Sequence, residues 1–143
     1  MRIEPFKPSD IFDIEIQESQ VRQINEFFNM DMAESLATKD SFSAFDDNDN
    51  CIGCAGIINA GGGRGLAWAV LGKYSGRNFV SVVRSFKRMI DISEYRRLEM
   101  ACDVSFEQAH RLALTLGFMS EGRMEQYFGP TKDAILYAKV NYG

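Results

Sequence analysis

Residues 105–118 read SFEQAHRLALTLGF, a helix with its own start and stop signals. The Ser105 hydroxyl can accept from the exposed N–H groups of a first helical turn, and Gln108 follows at capping-box spacing. The reading predicts a helix from Ser105 to Leu116. Ala109, Leu112, Ala113 and Leu116 recur at steps of three and four and form one apolar face, with Glu107, His110 and Arg111 off it. Gly117 ends the helix, because a residue without a Cβ enters the left-handed conformation cheaply, and Phe118 restarts the chain. Beyond it, Arg123–Phe128 and Ala134–Val140 are rich in strand formers and flank Gly129-Pro130, which predicts an antiparallel pair. Just before it, Leu98–Cys102 reads as a strand.

Working outward, Arg2–Phe6 alternates as a strand, and Pro8-Ser9-Asp10 is a helix-entry signal. Helices are predicted over Ile11–Phe28 and Met30–Ala37. Ser41–Phe45 reads as a short strand closed by the acidic turn Asp46-Asp47-Asn48-Asp49-Asn50. Cys51–Ala60 reads as a buried strand, Gly61–Gly65 as a hairpin tip, and Leu66–Leu71 as the returning strand. Asn78 can cap a helix from Phe79 to Ile92, with Phe79, Val82, Val83, Phe86 and Ile90 as its core-facing stripe.

Length and composition bound the rest. At 143 residues and 45% hydrophobic content, the chain suits one domain spanning 1–143 with a proper core. No run approaches the ~18 apolar residues of a membrane span. The opening Met-Arg-Ile-Glu-Pro reads as an incipient strand rather than a signal sequence, and three cysteines do not make a disulfide framework. Together these predict a cytoplasmic protein with reduced thiols and no membrane partner. Net charge is −4, yet residues 64–97 carry eight Lys/Arg against two acids. One concentrated basic segment in an acidic chain does not suit a broad nucleic-acid surface. It suits a compact anionic ligand, or equally a solvated basic helix face.

The predicted order is strand, two helices, three strands, helix, strand, helix, two strands. From end to end it resembles that of the GNAT N-acetyltransferases. Its size and its departures from their pattern also resemble the GNAT-like internal virion proteins of short-tailed bacteriophages. The resemblance implies an α/β domain with a mixed, largely antiparallel sheet flanked by helices, acetyl-CoA as co-substrate, and an amine acceptor that is a small molecule or a protein. It also implies a cofactor site over Val70, Leu71, Lys73, Tyr74, Ser75, Gly76, Arg77 and Asn78. In that family a basic or amide residue, Gly, and then Gly or Ala cradle the pyrophosphate at a helix N-terminus. Lys73 and Gly76 match that pattern. Asn78 stands where the second small residue is expected, and a helix cap explains it without a ligand. Arg77, Arg84 and Lys87 can add charge near the phosphates, or face water.

The resemblance further implies a bulged fourth strand, here Ala67–Leu71, aiming an N–H at the thioester carbonyl. Trp68 is either core or the wall of an acceptor cleft. Phe106 and Ala113 fall where the family commonly has an Asn against the cofactor and a Tyr as acid. Glu99 and Asp103 are the candidate catalytic bases in their stead, with solvated strand-end carboxylates as the other reading. Asp31, Glu34, Tyr127 and Tyr137 are polar groups available to an acceptor.

Other constellations point elsewhere than chemistry. Cys51 and Cys54 in one strand are predicted to face opposite ways, with no second pair to complete a zinc site. His110 is predicted to be solvated and without a partner, and the acidic run 46–50 lacks the terminal Glu of a calcium loop. No metal is expected. Two functions stand: an acetyl-CoA-dependent acetyltransferase, or a GNAT-fold structural or interaction protein without activity, a phage virion component or an effector on host proteins. Exchange of the closing strands offers a route to a homodimer.

Overall fold

A computed structural model describes residues 1–14, 30–72 and 78–142. The elements are β1 (Arg2–Pro5), α1 (Asp10–Asp13), α2 (Met30–Leu36), β2 (Ser41–Phe45), β3 (Cys51–Gly61), β4 (Arg64–Leu71), α3 (Phe79–Ile92), β5 (Arg97–Asp103), α4 (Glu107–Thr115), β6 (Met119–Gly129) and β7 (Lys132–Val140). The seven strands hydrogen-bond in the order β1-β2-β3-β4-β5-β7-β6. The β1–β2, β2–β3, β5–β7 and β6–β7 pairs are antiparallel, while β4 and β5 run parallel through Arg64↔Arg97, Gly65↔Leu98 and Leu66↔Glu99. This is the expected fold class, a mixed and largely antiparallel sheet flanked by helices. The chain packs as two compact units, residues 1–58 with 68–89, and residues 59–67 with 90–143.

In the first unit, alternation along β2 sends Phe42 to one face and Ser43 to the other. On Phe42's face lies α3, whose Phe86 meets Phe42 edge-on at 6.3 Å between ring centroids. Val82, Val83, Phe86 and Ile90 of α3 are buried as the stripe predicts. Phe79 is not: it starts the helix and is 37% exposed. A second apolar cluster joins Ile11 and Ile14, Ala33 and Leu36 of α2, and Phe6, Cys51, Cys54 and Val70. The helix expected over Ile11–Phe28 begins at Asp10 and stops at Asp13, because Ile14 turns to extended backbone (φ −78°, ψ 128°); the rest of that expectation falls outside the described residues. β3 comes so close to the turn before β2 that a Cβ on Gly56 would stand 2.8 Å from the Asp40 carbonyl oxygen.

The expected outward-and-inward split of Cys51 and Cys54 is overturned. Ala44 pairs with Gly53 but Phe45 pairs with Cys51, so Ile52 is an extra residue and β3 is bulged there. A bulge resets the two-residue alternation. Cys51 and Cys54 consequently share one face, with sulfurs 3.8 Å apart.

In the second unit, α4 packs on β5. Leu112, Ala113 and Leu116 are buried, as are Leu98, Met100 and Cys102 on alternate positions of the strand. The C-terminus of α4 forms as read: Gly117 has φ 93°, its N–H reaches the Leu114 carbonyl and the Phe118 N–H reaches that of Ala113. These are the two bonds of a Schellman motif. Phe118 is then buried as the anchor beyond the turn. The N-terminus differs from the prediction. The helix starts at Glu107 without a side-chain cap; the Ser105 hydroxyl and N–H both donate to Asp103 Oδ1 (2.7 and 2.9 Å), which ties Ser105 into the turn ahead of the helix. β6 is longer than expected, running from Met119, with irregularities at Ser120/Gly122 and Met124/Gly129 in its pairing with β7.

Candidate functional site

The candidate cofactor segment leaves the sheet at the end of β4. Val70 is buried and Leu71 half-buried, and the Gly72 N–H donates to the Ile52 carbonyl at 2.8 Å. Gly53 lets β3 lie this close, since a Cβ there would stand 3.1 Å from Leu71 Cδ2 and 3.3 Å from the Val70 oxygen. Lys73, Tyr74, Ser75, Gly76 and Arg77 lie outside the described residues. Asn78 is described, and its carbonyl accepts from the Val82 N–H at 3.0 Å, which places it at the cap position of α3. The α3 helix therefore begins where the sequence said. Its first turn, Phe79–Ser81, is exposed. The N–H groups of a first turn have no partner within the helix, so this turn presents donors and the positive end of the dipole to solvent. That surface fits an anion.

Trp68, on β4, is half-buried and meets Phe6 edge-on at 5.2 Å. It packs against the apolar cluster, and among the described residues its buried Nε1 has no acceptor. An indole N–H ordinarily finds one when buried.

Glu99 sits in a chain of ion pairs. Arg64 donates to both of its carboxylate oxygens (2.9 and 3.2 Å) and Arg97 to one (2.8 Å), while Arg97 also grips Glu121. The hydrogen bonds from Arg64, then Arg97, hold the Glu99 carboxyl below its ordinary range. A carboxylate so held is a weak base. Asp103 is buried, and Ser105 uses only its Oδ1.

His110 is not solvated as expected. Its Nε2 lies 2.9 Å from the Asp103 carbonyl oxygen and its Nδ1 2.9 Å from the Tyr137 hydroxyl. A carbonyl only accepts, so Nε2 carries a proton and donates to it; in the neutral ring Nδ1 then accepts from the Tyr137 hydroxyl. Burial raises the pKa of that phenol. This Asp103–His110–Tyr137 group joins residues 27 positions apart on α4 and β7, and nothing in the local spacing announces it. Among the described residues, no three His, Cys, Asp or Glu side chains gather as a metal site needs, and no helix is long and apolar enough to cross a membrane.

No protein-family model matches the sequence, and no curated protein matches it either. Solved structures do. Ard1 from Thermoplasma volcanium superposes with a TM-score of 0.78 over 99% of this chain and 98% of its own, at 13% identity. A GNAT-family acetyltransferase from Bacillus anthracis gives 0.68 over 96% and 93%, at 14% identity. This chain has the GNAT fold. The ribosomal-protein-S5-alanine acetyltransferase of Vibrio fischeri gives 0.64 over 98% and 92%, at 19% identity. In the GNAT fold the stretch after the fourth strand opens the long helix, which in this chain is the step from β4 through Asn78 to α3.

Proposed function

We propose that the chain is an acetyltransferase that moves the acetyl group of acetyl-CoA to an amine by direct attack of the nitrogen. The observation that carries the reading is the exposed first turn of α3, directly after a segment in which Lys73 precedes Gly76 and Arg77. N–H donors that the helix itself leaves unpaired, with two cations in eight residues, suit the phosphates of coenzyme A. When bound, acetyl-CoA supplies an activated acyl group whose thiolate leaves readily. The chain's own groups then have three tasks. Lys73, Tyr74, Ser75, Gly76, Arg77 and the Asn78–Ser81 turn hold the phosphates, and Val70 and Leu71 at the end of β4 line the approach. Asp103 takes the proton from the attacking amine through the carboxylate oxygen that Ser105 leaves open. Glu99 contributes less as a base, since Arg64 and Arg97 keep it ionised.

Solved structures that share the fold are named for acetylating an alanine of ribosomal protein S5 and spermidine. They make an amine the acceptor class to try first. A second reading has its own support: Phe106 and Ala113 supply neither the amide nor the phenol that the resemblance leads one to expect. On that reading the fold serves as a structural or interaction protein, in a phage particle or on a host protein.

The test is incubation with acetyl-CoA and, separately, a polyamine, an aminoglycoside and a peptide with a free N-terminal alanine, followed by mass measurement of each acceptor. The enzyme reading expects one acetyl group gained by at least one of them, and an Asp103→Asn variant slower by about a hundredfold. Unchanged acceptors at saturating acetyl-CoA would favour the scaffold.

A further inference from the structure

β3 opens with Cys51-Ile52-Gly53-Cys54, and its bulge brings both thiols to one side of the strand. The sulfurs lie 3.8 Å apart, in van der Waals contact. From Cys54 a chain of hydrogen-bonding groups continues: its sulfur is 3.4 Å from Ser43 Oγ, and the Ser43 hydroxyl donates to Asp10 Oδ2 at 2.7 Å. Ser43 is fully buried and Asp10 nearly so. A buried carboxylate linked through a buried hydroxyl to a thiol is a route for a proton.

The two thiols are unequal. Cys51 is the first residue after the exposed turn 46–50 and keeps 8% exposure, whereas Cys54 keeps none. The hydrogen bond between them holds Cys51 below the ordinary thiol range. The same bond, with burial, pushes Cys54 far above it. Both thiols are buried, Cys51 less deeply than Cys54, and one activated thiol nearer the surface beside one fully enclosed, protonated thiol is the division of labour of an attacking and a resolving cysteine. Cys102 has no such arrangement: it contacts the Ala109 carbonyl at 3.6 Å, and burial pushes its pKa up to about 12.

We propose that Cys51 and Cys54 are a thiol–disulfide exchange site, which a small uncharged disulfide closes to a disulfide within β3. The Cys51 thiolate attacks one sulfur of the reagent; a mixed disulfide forms and the first reagent thiolate leaves, taking up the proton that Cys51 had released. With Cys51 capped, Cys54 donates to Ser43 instead of to Cys51, and its proton passes through Ser43 to Asp10. The Cys54 sulfur then attacks Cys51; the second reagent thiolate leaves and is protonated in turn. Two protein thiols are oxidised to one disulfide, and one reagent disulfide is reduced to two thiols. The class of reagent follows from the charge of the turn before Cys51. Asp47 pairs there with the N-terminal ammonium and Asp49 with Arg2, but with Asp46 the turn still holds three carboxylates against two cations, in a chain of net charge −4, which disfavours anionic disulfides.

The experiment is to incubate the folded full chain with hydroxyethyl disulfide, alkylate the remaining thiols and measure intact and peptide masses. The expected product retains one alkylatable thiol, Cys102, and has lost two hydrogens between Cys51 and Cys54. Cys54→Ser should stop at one reagent adduct on Cys51, and Cys51→Ser should take none. Ser43→Ala should form the adduct as fast as the parent but close it more slowly, by about tenfold or more. Peptide mapping of the unmutated chain decides the matter even if a variant fails to fold. Three alkylatable thiols after treatment, a lasting adduct on the unmutated chain, or a bridge to Cys102 would each overturn the proposal.

Discussion

In the first unit Cys51, Cys54, Ser43 and Asp10 are enclosed with Phe6, Ile11, Ile14 and Val70, whereas in the second Arg64, Glu99, Arg97 and Glu121 pair on a face that water reaches. The side chains of Arg64 and Glu121 are 43% and 40% exposed. The first group consists mostly of neutral hydrogen-bonding atoms with one carboxylate, and a partner lost there costs more because these residues are 8% exposed or less. The second group is fully charged, and solvent screens what each charge gains from the next. Buried polar groups thus set the stability of one unit, while in the other the charges chiefly set its response to pH. Reactivity divides the same way. The proposed thiol exchange belongs to the buried group, and carboxylates clamped by arginines cannot readily accept a proton.

Substitutions sharpen this contrast in order of size. The largest effect is expected at Gly56, where a side chain meets the Asp40 oxygen and Ser41 Cβ at 2.8 Å. Gly56→Val should cost about 3 kcal/mol of unfolding free energy in urea, the upper end for overpacking. Ser43→Ala comes next: it removes one donor from the buried Asp10 carboxylate and should cost about 2 kcal/mol. A loss below that of an exposed pair would break the contrast, since it would mean that water reaches Asp10.

On the exposed side, Glu99→Gln should cost only about 1 kcal/mol at neutral pH. The pH dependence gives the sharper test. Arginine hydrogen bonds lower the folded pKa of Glu99 and of Glu121, so around those values the unfolded chain binds more protons than the folded one. Their contribution is complete above the unfolded value of about 4.3 and is lost as pH falls through the lowered folded values. The gap in urea midpoint between Glu99→Gln and its parent should therefore close with acidification. A gap that persisted in strong acid would assign Glu99 a packing role instead. Smallest of all, Arg111→Ala removes the exposed Glu107–Arg111 pair of α4 and should shift stability by about 0.3 kcal/mol.

What the sequence disclosed was local. Gly117-Phe118 stops α4 through bonds to residues three to five positions back, and Asn78 starts α3 through a bond four positions on; both signals fit in a short window. The faces of Cys51 and Cys54 were misread because the alternation rule holds only for a regular strand, and the bulge arises from pairing with β2. Ser105 has the type and spacing of a cap, but its bonds to Asp103, two residues earlier, tie it into the turn, and the helix begins at Glu107. Of the two arginines that hold the candidate base Glu99, Arg97 is two positions away on the same strand and within reach of the alternation rule, whereas Arg64 lies 35 positions away. His110 looked solvated for the same reason, its partner being on a different element. The GNAT order of elements was legible end to end, while the chemistry of individual side chains waited on contacts between elements.

The central claim is that the segment from Lys73 to the first turn of α3 holds coenzyme A. Calorimetric titration with acetyl-CoA and with CoA, on the parent and on a Lys73→Glu, Arg77→Glu variant, tests it most directly. Micromolar binding of both ligands by the parent and its loss in the folded variant are expected. Absence of heat at millimolar ligand, or equal binding by the variant, would contradict it.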